Sequence, residues 1–252
     1  MAWTKTFGGA APERVNKWLA QAGVCSRREA EALIAQGLVS IDGQRVADPG
    51  HKIAPGQTIT LADAADRQLR SAITVVLNKP VGYVSAAPQG AEIPAARLIS
   101  AKTLFGQAAA IPPRATKLAP LGRLDQDSRG LLLLSEDGVL AKAVIGPHSA
   151  MEKEYLVAVR GALSEQKLAL LREGLSLDGR RLKRARVSRL EDARLRFVLT
   201  EGMKRQIRRM CEAVGLHVVD LQRIRIGPVE LGDLPEGKWR PLSIAERAAL
   251  LG

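Results

Sequence analysis

Between Leu121 and Gly138 the chain reads LGRLDQDSRGLLLLSEDG. One carboxylate, Asp125, follows a Gly-Arg-Leu turn and precedes the apolar run Leu131 to Leu134, with Arg123 and Arg129 on the same loop. Four leucines between Gly130 and the turn Glu136-Asp137-Gly138 predict a buried strand with punctuation on both sides. An aspartate at the mouth of such a strand, flanked by two arginines, suits an active-site carboxylate. It equally suits a turn aspartate that bonds its own backbone. The residue types alone leave both readings open.

Other reactive side chains narrow the chemistry. His51, His148 and His217 are scattered and form no metal-ligand spacing, so no metal is expected. Cys25 and Cys211 lack CxxC spacing and are too few for a disulfide framework, which predicts a reducing compartment. No Walker motif or dinucleotide fingerprint is present, and no cofactor is expected. Tyr155 opens the apolar run to Val159, behind Lys153 and Glu154. A tyrosine there can pack within a sheet. With aromatics at 3% of the chain, it also has few competitors for a stacking role.

The formal net charge is +12, from 38 Lys and Arg against 26 Asp and Glu. Such an excess suits a polyanionic partner. No run has transmembrane length, and residues 1–14 lack the apolar core of a signal peptide. A nucleic acid is therefore favoured over a membrane, and the expected compartment is the cytoplasm. Arg180, Arg181, Lys183, Arg184, Arg186 and Arg189 form a dense basic run, which fits a solvated face and phosphate contact equally.

The elements that must carry these residues fall into an α+β pattern. Residues 1–12 are small and unpatterned, as in a mobile tail. Val15, Trp18, Leu19 and Ala22 give one apolar helical face. Ser26 and Glu29 form a capping box at the start of a second helix that buries Ala30, Leu33 and Ile34. Val39 and Ile41, the Asp42-Gly43 turn and Val46 predict a hairpin, and Thr58 to Leu61 a last short strand. Residues 62–72 read as a linker with some helix. A second domain over 73–243 begins with the strand Ile73 to Leu77, and residues 244–252 read as a C-terminal tail. The Ala/Pro-rich segment 86–120 predicts a short helix near 96–104 within a mobile loop. Helices are expected over 139–145, 163–175 and 206–214, and strands near 187–190, 195–200 and 234–242.

Two sets of motifs resemble known families. The text ERVNKWLAQAGVCSRREAEALIAQGLVSIDGQRV is similar throughout to an S4 RNA-binding domain, over 13–61. The words NKPVG, GRLD with its leucine run, KEY, and EGMKRQIRRM, in that order, resemble the RNA pseudouridine synthases that modify bacterial ribosomal RNA. They match the RsuA/RluB/RluE/RluF group, and the Arg205 and RIRIG features sit closest to its RluF-like branch. The resemblance implies a small α-β S4 domain, then a synthase domain with a mixed, largely antiparallel sheet flanked by helices. It assigns Asp125 as the catalytic carboxylate and Tyr155 as a uracil-stacking residue placed for proton transfer. Arg208 becomes the guanidinium that pairs with Asp125, holding it ionised by a bidentate fork. Leu221 would supply an apolar wall, and Tyr83 remains structural. Arg14, Lys17, Arg27, Arg28, Arg123, Arg205 and Arg209 are the expected RNA contacts.

The reaction so implied breaks N1–C1′ of a uridine, turns the base and rejoins it through C5, with the nucleotide flipped from its stack. The expected partner is ribosomal RNA or a ribosomal particle, with 23S RNA favoured, 16S RNA and tRNA as alternatives, and a monomeric enzyme. Two rivals are a binding-only S4 protein acting in ribosome assembly and a nonspecific basic nucleic-acid binder. Neither accounts for GRLD, KEY and RQIRR in one chain in this order.

Overall fold

A computed structural model describes residues 3–191 and 193–252. The chain divides into two compact units. One runs to Ile73 and includes Glu136–Lys142, and the other comprises Thr74–Ser135 and Ala143–Gly252.

The first unit corrects the expected tail. Met1 and Ala2 lie outside the described residues, but Trp3–Thr6 forms strand β1, antiparallel to a later strand of the same unit. Its register is held by hydroxyl pairs, Thr4 with Thr60 at 3.3 Å and Thr6 with Thr58 at 3.0 Å, and by aromatic packing. Trp3 and Phe7 both meet Trp18, at 6.1 and 5.7 Å between ring centroids. The small residues that follow hid this short alternating stretch. Helix α1 (Val15–Gln21) buries Val15, Trp18 and Leu19. Helix α2 (Arg27–Ala35) opens on the reciprocal Ser26–Glu29 capping box and buries Ala30, Leu33 and Ile34. Strands β2 (Val39–Ile41) and β3 (Gln44–Arg45) are joined by Asp42 and Gly43, with φ of +48° and +81°. This is the left-handed pair that a two-residue hairpin turn requires. With β4 (Thr58–Leu61) the sheet order is β1-β4-β2-β3. Most of the expected linker is helix α3 (Asp63–Arg70). Its first turn carries Asp63 and Asp66 and its last Arg67 and Arg70, as the helix dipole favours.

The second unit is built on one large sheet. Its strands are β5 (Thr74–Lys79), β6 (Ala119–Pro120), β7 (Arg129–Ser135), β8 (Lys153–Arg160), β9 (Arg186–Arg189), β10 (Arg194–Leu199), β11 (His217–Ile226), β12 (Val229–Glu230) and β13 (Trp239–Pro241). Helix α4 (Gly138–Ile145) follows β7 in sequence, α5 (Glu165–Glu173) follows β8 and α6 (Gln206–Ala213) follows β10. Among the described residues the sheet order is β9-β10-β8-β11-β7-β5-β13, with β6 on β7 and β12 on β11. Every pairing is antiparallel except β7 with β11, so the sheet is mixed and largely antiparallel. Leu131 to Leu134 are all fully buried. Both faces of β7 are therefore covered, which explains a continuous rather than alternating apolar run.

Two further expectations change. The helix near 96–104 is instead a pair of 3-10 turns, Ala95–Leu98 and Ala101–Thr103. Part of this segment is tied down, since Trp239 Nε1 donates to Ser100 O at 2.8 Å and Phe105 N–H to Trp239 O at 2.8 Å. The expected C-terminal tail is helix α7 (Ile244–Leu251), started by a Ser243–Glu246 capping box and buried at Leu250. No helix among the described residues is long and apolar enough to cross a membrane.

The parallel β7–β11 pairing sets Gly130 beside Arg223. Gly130 has φ +104°, and a Cβ there would lie 2.3 Å from the Arg223 carbonyl oxygen. Gly130→Ala is expected to destabilise the second unit by about 3 kcal/mol or more, through strain and overpacking together. Gly202→Ala, where a Cβ meets nothing within 4 Å, is expected to change stability by less than about 0.5 kcal/mol. Urea unfolding of the two variants measures the difference.

Candidate active site

Asp125 lies on the loop between β6 and β7, and that loop is fastened on both sides of it. The Leu124 N–H donates to the Ser85 hydroxyl at 2.8 Å, and the same hydroxyl donates to Leu124 O at 2.7 Å, both groups being buried. The Gly82 N–H donates to Gln126 O at 2.8 Å, and Gln126 Nε2 returns a bond to Gly82 O at 3.2 Å. The turn that makes these contacts belongs to the NKPVGYVS segment. It is closed by Lys79, whose fully buried ammonium donates to Pro80 O and Tyr83 O, each at 2.8 Å. Burial pushes the Lys79 pKa down to about 8 against the opposing pull of Asp127 and Asp125. Tyr83 thus serves through its carbonyl oxygen.

A second buried cation holds the front of the loop. Arg223 on β11 is 1% exposed. Its Nε donates to Leu131 O at 2.8 Å, Nη1 to Arg123 O at 3.4 Å and Nη2 to Gly122 O at 3.4 Å. Arg129 at the start of β7 forks onto the Asp220 carboxylate at 2.9 and 2.7 Å. This pairing holds the Asp220 carboxyl below its usual range.

The arginines of the first turn of α6 approach from the opposite side, and they correct one expectation. Arg208 does not fork onto Asp125. Its Nη2 donates to Asp127 O at 2.7 Å and Ser128 Oγ at 3.3 Å, and its Nη1 to Val218 O at 3.3 Å. Its buried Nε has no hydrogen-bond partner, although Asp127 Oδ2 lies 3.4 Å away. The guanidinium is consumed by the backbone just after Asp125, so it positions the loop rather than the carboxylate. The cation within 4.0 Å of Asp125 is Arg205, whose Nη1 lies 4.0 Å from Asp125 Oδ2 and 2.9 Å from Asp127 Oδ2. Arg205 caps α6 with its backbone in the left-handed region, φ +53°.

These groups line a cavity of about 820 Å³. Asp125, Tyr155, Arg208 and Leu221 all border it, as do Arg123 and Arg205 among the expected RNA contacts. Tyr155 and Lys153 reach it from β8, two residues apart on one face of the strand. Tyr155 is buried, paired in register with Phe197 on β10 and Arg223 on β11. Arg209 is not brought to the cavity and instead forks onto Asp178 at 2.9 and 2.6 Å. Arg14, Lys17, Arg27 and Arg28 are exposed in the first unit, where Lys17 is paired with Glu13. Among the described residues no three His, Cys, Asp or Glu side chains stand together as a metal site.

Sequence reading missed Ser85, Lys79, Lys153 and Arg223. In LQRIRI, strand alternation sets Arg223 with Arg225 and opposite Ile224 and Ile226, so none of the four left a local signal of burial.

Comparison with known proteins agrees with this geometry. A family model described as RNA pseudouridylate synthase matches residues 73–213, and an S4 domain model matches residues 13–59. The chain is 34% identical to the dual-specificity RNA pseudouridine synthase RluF of Escherichia coli K12 over 91% of this chain and 75% of that protein. It is 36% identical to an RNA pseudouridine synthase of Aquifex aeolicus over 94% and 93% of the two chains. A crystal structure of a pseudouridylate synthase superposes with a TM-score of 0.66 at 29% identity, covering 96% of this chain and all of the other. The family match spans more than half of the chain and lies on the domain that holds the Asp125 cavity, so the protein belongs to the RNA pseudouridine synthases, with an S4 domain ahead of its catalytic domain.

Proposed function

We propose that the enzyme isomerises a uridine in ribosomal RNA, with 23S RNA as its first substrate, and that Asp125 carries the chemistry at the sugar. One observation carries the assignment. A partly exposed carboxylate faces an 820 Å³ cavity from a loop whose backbone is bonded on both sides of it. In the reaction the N1–C1′ bond breaks and its electron pair leaves with uracil. The base turns, C5 bonds to C1′, C5 gives up its proton and N1 is left protonated. Atoms and electrons balance within the nucleotide, so no co-reactant is required. Asp125 acts on the sugar as an anion, either as nucleophile at C1′ or as base beside it. Tyr155 and Leu221 give the flipped uracil its apolar walls. Arg208 positions the Asp125 loop, and Arg205 offers the carboxylate its charge partner.

Exposed Arg14, Lys17, Arg27 and Arg28 suit the phosphate backbone, where contacts orient a shaped RNA and carry little base information. The proposed setting is a monomer working on ribosomal RNA or its particles in the cytoplasm. The RluF relative is named a dual-specificity enzyme, which makes a second RNA, 16S or tRNA, a defined arm of the test.

A pseudouridine map of 23S, 16S and transfer RNA from cells carrying the native protein or Asp125→Asn tests this reading. Loss of modification at one or two uridines of 23S RNA in the Asn variant is expected, with turnover on that RNA reduced at least about 10³-fold. Loss confined to 16S or transfer RNA would move the substrate. An unchanged map with the protein still on ribosomal particles would leave a binding function. A second prediction concerns positioning. Ser85→Ala leaves the Leu124 N–H and C=O buried without their partner, and should lower stability by about 1–3 kcal/mol. It should also lower kcat about tenfold or more with little change in RNA affinity, because it loosens Asp125 without touching the RNA.

A further inference from the structure

Lys153 is a buried cation in the cavity that the reaction as described does not use. It is 8% exposed, lines the cavity and lies against the loop that leads to Asp125. A Cβ built on Gly122 would be 3.9 Å from Lys153 Cε and 3.8 Å from Arg223 Nη1. Its ammonium donates to one acceptor, Met151 O at 3.0 Å, and forms no ion pair among the described residues. An ammonium has three donors, so two remain for other acceptors. Lys79, Arg223 and Arg208, the other buried cations nearby, are spent largely on backbone carbonyl groups that they clamp. Lys153 clamps one carbonyl, that of Met151 just before its strand, which needs no buried charge.

Its depth selects the ligand group. Arg123, Lys204 and Arg205 are exposed where the cavity opens to solvent, which is where phosphates would run. Lys153 lies deep, two residues from Tyr155 on one strand face, a separation of roughly 7 Å. A uracil lying against Tyr155 would bring a carbonyl edge within reach of that ammonium. When N1–C1′ opens, the electron pair that leaves with uracil spreads onto its carbonyl oxygens. A fixed cation in a water-poor site stabilises charge that develops there.

We infer that Lys153 is a further catalytic residue, donating to a carbonyl oxygen of the departing uracil and holding the negative charge until C5 bonds to C1′. This rests on the cavity at Asp125 being the uridine site. Desolvation, then the neighbouring Arg223 guanidinium, pushes the Lys153 pKa down to about 8. Other charged groups border the same cavity: Arg123 and Asp125 on the loop, Glu201 after β10, and Arg205 and Arg208 from α6. Lys153 is protonated below its pKa and neutral above it. An activity that needs the ammonium therefore falls as pH rises through about 8.

The test uses the full-length enzyme and its mapped RNA, with Lys153→Met, Lys153→Arg and Asp125→Asn. Lys153→Met keeps the shape and removes the charge. It is expected to lower kcat about 10²- to 10³-fold, with KM within about threefold. The fall in kcat/KM above pH 8 expected of the native enzyme should be absent in this variant. Lys153→Arg stays charged across the range and should move that fall upward. A kcat for Lys153→Met within about twofold of native, a loss confined to KM, or an unmoved alkaline limb in Lys153→Arg overturns the inference. If circular dichroism shows Lys153→Met unfolded, the Lys153→Arg limb decides alone. A fully active Asp125→Asn variant would instead overturn the cavity assignment on which the inference rests.

Discussion

Three basic side chains buried in the catalytic domain are satisfied largely by main-chain carbonyl oxygens, and the active-site loop depends on them. Lys79 closes the turn over Pro80 to Tyr83, Arg223 holds the carbonyl groups of Gly122, Arg123 and Leu131, and Arg208 holds that of Asp127. Without them those carbonyl groups would lose the donors that hold the loop. With them, the loop from Gly122 to Ser128 has almost no freedom to lose when substrate arrives. A carboxylate that acts on a sugar carbon needs this, because misplacement by an ångström costs orders of magnitude in rate. The cations also leave the cavity positive overall, which suits a reaction whose leaving group carries the electron pair of the broken bond.

The same constraint explains why the two aspartates of GRLDQD differ. Asp127 is bonded to Arg205 at 2.9 Å and is further neutralised by Arg208. Asp125 is 4.0 Å from Arg205 and receives no bond from Arg208. Side-chain exposure of 35% leaves it facing the cavity. A carboxylate with a full bidentate partner would be held ionised but would be a poor nucleophile or base. One with a cation just outside hydrogen-bonding distance keeps its oxygens available. Arg205 sits at that spacing with its backbone in the left-handed conformation at the start of α6.

Much of this was legible in the sequence, for identifiable reasons. The four-leucine run, the Ser26–Glu29 box and the Asp42-Gly43 turn are local signals with local causes, and each has its expected structure. Motif words named Asp125 and Tyr155, and the two line one cavity. The tail expected over residues 1–12 failed because β1 is fixed by Thr58 and Thr60, some fifty residues away, and by Trp18 on the next helix, partners that a local window does not contain. The Arg208 partner failed for a related reason. The motif put Arg208 near the aspartates, but the choice between a carboxylate and a backbone carbonyl group is made by the path of the 125–128 loop. Ser85 is the extreme case, an ordinary serine in sequence whose hydroxyl both accepts from and donates to a residue 39 positions on.

Charge shows the same limit from the other direction. A net charge of +12 and a dense basic run at 180–189 invite the reading that those arginines bind RNA. In the fold several are already engaged. Arg186 forks onto Glu152 at 2.7 and 3.0 Å, and Arg180 meets Glu201 at 3.4 Å. Arg196 and Arg225 share Glu154, which is nearly fully buried in the sheet. A phosphate approaching these side chains must compete with a carboxylate in place, and the pairs made by exposed Arg180 and Arg186 are worth only about 0–1 kcal/mol. They can therefore release an arginine to RNA at small cost, but they do not direct the RNA. Arg123 and Lys204 border the cavity with no ion pair among the described residues. Their charge is fully available to a phosphate, so position rather than number determines where the backbone is drawn. Positive charge gathers at the cavity itself, where Arg123, Lys204, Arg205 and Arg208 are joined by only Arg180 and Lys183 of the longest basic run.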